Sequence, residues 1–133
     1  MGEPNVDLLR RGYAAMARGD FDSVLEMLDP EIEMRDRPES PDAGIYHGHE
    51  GALAAFGQTV DFFDEVEMVP EEFFGSGEVV VVALLMRVRG RESGVPVEER
   101  IAHLWRIADR RAVSLQAFTH LDDALRAAGI PRR

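Results

Sequence analysis

Asp36 and His103 are the side chains whose type and setting suit proton chemistry. Each lies in a run whose polarity alternates with period two, the signature of a strand with one covered face. From Glu31 to Arg37, Ile32, Met34 and Asp36 point one way, while Glu31, Glu33, Arg35 and Arg37 point the other. One carboxylate therefore shares a face with two apolar side chains. Farther along, Ile101, His103, Trp105 and Ile107 fall on one face, and Ala102, Leu104 and Arg106 on the other. A carboxylate in an apolar hollow has its charged form penalised and can act as a general base at neutral pH. A neutral imidazole in the same hollow can polarise a carbonyl or exchange a proton with the carboxylate. Two blander readings stand beside these. Asp36 at the sheet rim would pair with Arg35 or Arg37 as surface charge, and His103 in a packed core would be satisfied by a backbone carbonyl.

Around this pair the expected ligand-contacting residues are Tyr13, Met16, Met34, Phe56 and Trp105. Tyr13 and Met16 sit one turn apart on the first predicted helix, with the phenol as a hydrogen-bond donor, and Trp105 offers a packing or stacking wall. For Met16 and Phe56, plain core packing is the competing reading. The run His47-Gly48-His49-Glu50 holds metal-ligand residue types, but its spacing matches no standard site, and it reads as the turn before a helix. No metal is assigned. No phosphate loop, nucleophile elbow or dinucleotide fingerprint occurs, so no cofactor is expected.

The elements that position these residues are punctuated by Gly, Pro and Asp. Asn5 is placed to cap a helix carrying Val6, Leu9, Tyr13 and Met16 at helical spacing, which Gly19 ends. Asp20 caps a short second helix that buries Phe21, Val24, Leu25 and Leu28 and stops at Asp29-Pro30. After the strand bearing Asp36 and a loop with Pro38, Pro41 and Gly44, the stripe Leu53, Phe56, Val60 and Phe63 predicts a third helix. Four strands follow: Glu65 to Phe74 interrupted at Pro70, Glu78 to Arg89, Val95 to Ala108, and Ala112 to His120. Their turns fall at Gly75-Ser76-Gly77, Ser93-Gly94 and Asp109-Arg110. Leu121 to Ala128 closes the chain as a helix ended by Gly129 and Pro131. Val79 to Met86 is apolar on both faces, so something other than solvent covers the back of that strand. Helices first and strands later read as α+β, with helices on one side of a curved antiparallel sheet and a space enclosed between them.

The chain has 133 residues, 45% of them hydrophobic and 30% charged. That profile fits one globular domain, residues 1–133, and not a disordered segment. Twenty-five acidic against fifteen basic side chains leave a net charge of −10, a field that repels phosphate backbones and anionic membranes. Nucleic acid and membrane are therefore not expected partners. The absence of cysteine excludes disulfides and thiolate chemistry. The first residues carry no basic-then-apolar export signal and no stretch reaches the length of a membrane span, so a cytoplasmic location is expected.

Five segments in order resemble the SnoaL-like and ketosteroid isomerase-like proteins of the nuclear transport factor 2-like superfamily. They are Tyr13 through Phe21, Asp29-Pro30, Tyr46-His47-Gly48, Ser93 through Val97, and His103 through Ile107. The resemblance implies a nuclear transport factor 2-like or cystatin-like cone with an apolar pocket, and a homodimer paired through the outer face of the sheet. It places Asp36 at the general base of the isomerases and His103 where they carry a protonated aspartate that donates to the enolate oxygen. Gly12 stands at their oxyanion tyrosine, with Tyr13 one residue along, about 100° around the helix. Thr119-His120-Leu121 stands where many SnoaL-like relatives have an aspartate. The implied activity is cofactor-independent isomerase- or cyclase-like acid/base chemistry on a compact hydrophobic carbonyl compound. The alternatives are a non-catalytic binder of such a small hydrophobic molecule, and an interaction module without a ligand.

Overall fold

The computed structural model describes residues 3–37, 44–90 and 94–131, and within them the side chains of residue 3 and of residues 56–65 are left undescribed. Helix α1 (Glu3–Ala17) turns Leu9 and Tyr13 into the core, with Val6 and Met16 packed against the same cluster. Gly19, at φ 74°, follows it. Asn5 does not cap this helix. It lies inside it, and its amide donates to the Gly77 carbonyl at 3.0 Å, tying α1 to a strand turn. Helix α2 (Phe21–Met27) starts as expected: the Asp20 carboxylate accepts from the Ser23 N–H at 3.2 Å and from its hydroxyl at 2.7 Å. Leu28 is already extended, so β1 (Leu28–Arg35) starts before Asp29-Pro30 and ends one residue short of Asp36. Pro30 sits where the ladder to the neighbouring strand is interrupted, between Leu28 and Glu33. A residue without an N–H is tolerated at such a gap.

Strand β2 (Ile45–His47) pairs antiparallel with the end of β1, Met34 opposite Tyr46. Three residues are too few to display alternation, which is why its pattern does not announce it. Helix α3 (Gly48–Phe62) follows directly. Its expected stripe is corrected at Leu53, which is 46% exposed, whereas Ala52 is fully buried. The side chains of Phe56, Val60 and Phe63 lie outside the described residues, and Phe63 opens β3 (Phe63–Ser76). Strands β4 (Val79–Gly90), β5 (Pro96–Ala108) and β6 (Arg111–Phe118) and helix α4 (Leu121–Ala128) complete the chain. Pro38, Pro41 and Ser93 fall outside the described residues.

The strands form one open sheet in the order β2-β1-β6-β5-β4-β3. Every pair is antiparallel except β1 with β6, so the sheet is mixed where a wholly antiparallel one was expected. The long excursion from β1 to β6 through the rest of the domain allows the parallel pairing. The register of β3 on β4 shifts between Pro70 and Glu72, a bulge that absorbs the missing donor of an edge-strand proline.

Two apolar clusters fill the two faces of the sheet. On the inner face Leu9, Tyr13, Ile32, Met34, Val82 and Trp105 belong to one cluster with the first helices. On the outer face Val81, Ala102 and Leu104 pack beneath Ala124 and Leu125 of α4. The terminal helix thus supplies cover, within the same chain, for the Val79 and Val81 end of the doubly apolar strand. Phe73 packs with the inner cluster, and Phe74 and Phe118 with the outer one. No described helix is long and apolar enough to cross a membrane.

Candidate functional site

The inner cluster is apolar except at one place. His103 is 7% exposed, and no other polar or charged residue is as buried among those described. Its Nδ1 lies 2.8 Å from the Tyr13 hydroxyl, and Trp105 Nε1–H donates to that same hydroxyl at 2.9 Å. The two rings of Tyr13 and His103 are nearly parallel, with centroids 6.1 Å apart, and Trp105 stands edge-on to both. Helix α1 contributes Tyr13 and strand β5 the other two, so the network joins helix to sheet.

Hydrogen-bonding capacity sets the proton positions. Indole N–H can only donate, so the Tyr13 oxygen is an acceptor toward Trp105. Among the described residues His103 Nδ1 is the acceptor within reach of the phenol's single hydrogen, and donation there leaves the imidazole proton on Nε2. Burial, and secondarily the positive charge of Arg37, holds the His103 pKa down to about 4. Burial pushes the Tyr13 phenol well above its ordinary value, partly offset by the Trp105 hydrogen bond. Both groups are therefore neutral around pH 7, and the Nε2–H of His103 is a donor rather than a titrating acid. The expectation of a core histidine held by a backbone carbonyl is not what the geometry shows, since the partner is a phenol.

Asp36 follows the last residue of β1. Arg35 pairs with Gln116 on β6, and Ala117 pairs with His103 on β5, so Asp36 stands level with His103, two strands away. Two strand spacings put their Cα atoms about 10 Å apart. Asp36 is half-buried, and its Oδ2 accepts from the Gly44 N–H at 3.2 Å and from the Tyr46 hydroxyl at 3.4 Å. Its carbonyl accepts from Gln116 Nε2 at 2.7 Å, which fixes the end of β1 against β6. The expected ion pair with Arg35 or Arg37 does not form: Arg35 binds Glu33 at 3.1 Å and Arg37 binds Glu99 at 2.9 Å. No hydrogen bond or ion pair joins Asp36 to His103 among the described residues.

Of the remaining expected contacts, Met34 is buried and Met16 half-buried against the inner cluster. The Phe56 side chain is outside the described residues. Residues that sequence reasoning missed are Tyr46, the partner of Asp36, and Phe73, whose ring meets Tyr13 edge-on at 6.4 Å beneath the Arg10 guanidinium. Tyr46 was visible only as part of the turn before α3. The turn itself holds no metal cluster: a His49 ring nitrogen lies 2.8 Å from the Leu28 carbonyl oxygen, and His47 lies 3.5 Å from Glu33. Among the described residues no group of three metal-ligating side chains converges.

A curved, open sheet with helices packed on both faces and a neutral polar network on its inner face is an α+β architecture. The SnoaL-like domain family matches residues 9–115, and the chain belongs to that family. It is 28% identical over 116 residues to an uncharacterised protein of Mycobacterium tuberculosis, covering 87% of this chain and 88% of that protein. A nuclear transport factor 2-like protein of unknown function from Burkholderia pseudomallei superposes with a TM-score of 0.78 at 28% identity, over 92% of this chain and 95% of that one. A candidate SnoaL-like polyketide cyclase from a Jannaschia species superposes with the same TM-score, 0.78, at 21% identity, over 98% and 95% of the two chains.

Proposed function

We propose that the protein is a cofactor-independent isomerase- or cyclase-like enzyme for a compact hydrophobic carbonyl compound. The observation that carries this reading is a neutral, hydrogen-bonded His103 on the apolar inner face, level with a half-buried Asp36 two strands away. A spacing of about 10 Å between backbones leaves room for one ring between the two side chains. In the proposed step, the Asp36 carboxylate takes a proton from the carbon beside the carbonyl. The electron pair moves into the carbonyl, and the enolate oxygen accepts a hydrogen bond from His103 Nε2–H. Asp36 then returns the proton to another carbon. Tyr13 and Trp105 act as positioning residues that hold the tautomer. Membership in a family with a candidate polyketide cyclase among its structural neighbours supports the reaction class.

The reading is tested by incubating a panel of bicyclic ketones with the protein in D2O and following deuterium uptake by mass spectrometry. The expected result is uptake into at least one ketone, abolished by Asp36→Asn and slowed about a hundredfold by His103→Gln. Uptake that survives Asp36→Asn contradicts the role of the base. A ketone recovered bound but unexchanged supports the second reading, a non-catalytic carrier, which is favoured by a His103 that does not titrate near neutrality.

The proposal includes a homodimer through the outer face of the sheet.

A further inference from the structure

A concavity lies on the other side of α1 from Tyr13. It is a half-open cleft of about 560 Å³ between α1, α2 and the β5–β6 turn, and its lining includes Arg11, Arg18, Arg110, Glu26 and Met27. Arg11 lies on α1, Arg18 in the turn just after its last residue, and Arg110 in the turn between β5 and β6. Ala14 and Ala15 between them keep the floor low. All fifteen basic side chains of this protein are arginines, in a chain of net charge −10, and six of the described ones form an ion pair with a described carboxylate. Arg35, Arg37, Arg87, Arg100 and Arg126 are each paired at 3.2 Å or closer. Arg11 and Arg110 have no such partner among the described residues, and the Arg18 pair with Asp20 is long at 3.5 Å between exposed groups. Glu26, in the same wall, forms no ion pair with any of the three cleft arginines among the described residues. Three guanidiniums thus share this cleft with a single carboxylate, Glu26.

The turn that carries Arg110 adds a second observation. Asp109 and Arg110 both have positive φ, 52° and 66°, and Ala108 pairs with Arg111 across them. This is a two-residue hairpin turn of the kind that favours Asn or Gly, above all at its second position. An arginine there is held in a conformation costly for an L side chain, and it projects into the cleft.

We propose that this cleft binds a small organic phosphate monoester. Its phosphoryl oxygens would be shared by Arg11 and Arg110, and its apolar body would lie over the alanine floor beside Met27. A phosphoryl group presents a dianion with oxygens in several directions, which suits guanidinium forks arriving from different elements. A carboxylate offers two coplanar oxygens and satisfies one fork.

Calorimetric titration of the full chain tests this with phenyl phosphate as probe, and with phthalate as a dianion lacking a phosphoryl group. Saturable phenyl phosphate binding is expected, at least about tenfold tighter than phthalate. Arg11→Gln is expected to weaken it by about tenfold or more. Arg110→Gly makes the turn Asp-Gly, so it is expected to raise the melting temperature while weakening binding by a similar factor. That opposite movement separates a binding role from a structural one. Arg126→Gln, on α4, is expected to leave affinity unchanged. No saturable binding, equal affinity for phthalate, or equal weakening by Arg126→Gln overturns the proposal.

Discussion

Tyr13 has one hydrogen to give and, among the described residues, His103 Nδ1 to receive it, which puts the imidazole proton on Nε2. Burial of that ring also has a thermodynamic consequence. The unfolded chain binds a proton at His103 below about pH 6.5, but the buried ring does so only below about 4. Between these values the unfolded state holds more protons, so stability is lost as pH falls through that window and is fully present above it. Urea titrations at pH 7.5 and 5 are expected to differ by about 2 kcal/mol from this group, and His103→Gln to remove that difference. An unchanged pH dependence in the variant would place the titrating group elsewhere. At this scale the polar site was partly legible. Alternation put His103 and Trp105 on one face, which the fold confirms, and it put Asp36 on the face of Met34. The hydrogen bond from Tyr13 was not legible, because one residue of offset on a helix is overridden by how the helix rolls on the sheet.

At the scale of elements, the site depends on β2 and α3, which position Tyr46 against Asp36. Gly51 lets α3 pack against that strand: an added Cβ would lie 2.9 Å from the Tyr46 carbonyl carbon and 3.2 Å from its Cβ. Backbone cannot yield as a flexible side chain would. Gly51→Ala is therefore expected to destabilise by about 1 to 3 kcal/mol through overpacking, despite a helix-propensity gain of up to about 1 kcal/mol. Chemical denaturation reads this directly, and a stabilised variant would show that α3 can ride away from β2. The long elements were readable from pattern, and α4 and the Asp20 cap fall where their signals place them. Three features were hidden. Strand β2 is too short for a period, the start of α1 rests on a residue that bonds to Gly77 instead of capping, and Leu53 faces outward beside the buried Ala52.

For the whole molecule, sequence order conveyed helices, then sheet, then a closing helix, but not that the last strand returns parallel beside the first. That pairing joins residues far apart in the chain, and local pattern does not encode it. The outer face is divided between α4 and a set of exposed ion pairs, Glu67–Arg87–Glu98 and Glu71–Arg100, each worth little by itself. With the proposed homodimer, sedimentation equilibrium at micromolar concentration is expected to report twice the chain mass. A single-chain mass would contradict it. The function proposed for the molecule rests on the state of one imidazole, which can be observed directly. Long-range proton–nitrogen correlation spectra of His103 are expected to show Nε2 protonated and Nδ1 bare from pH 8 down to about 5. A proton on Nδ1, or titration near 6.5, would contradict the account.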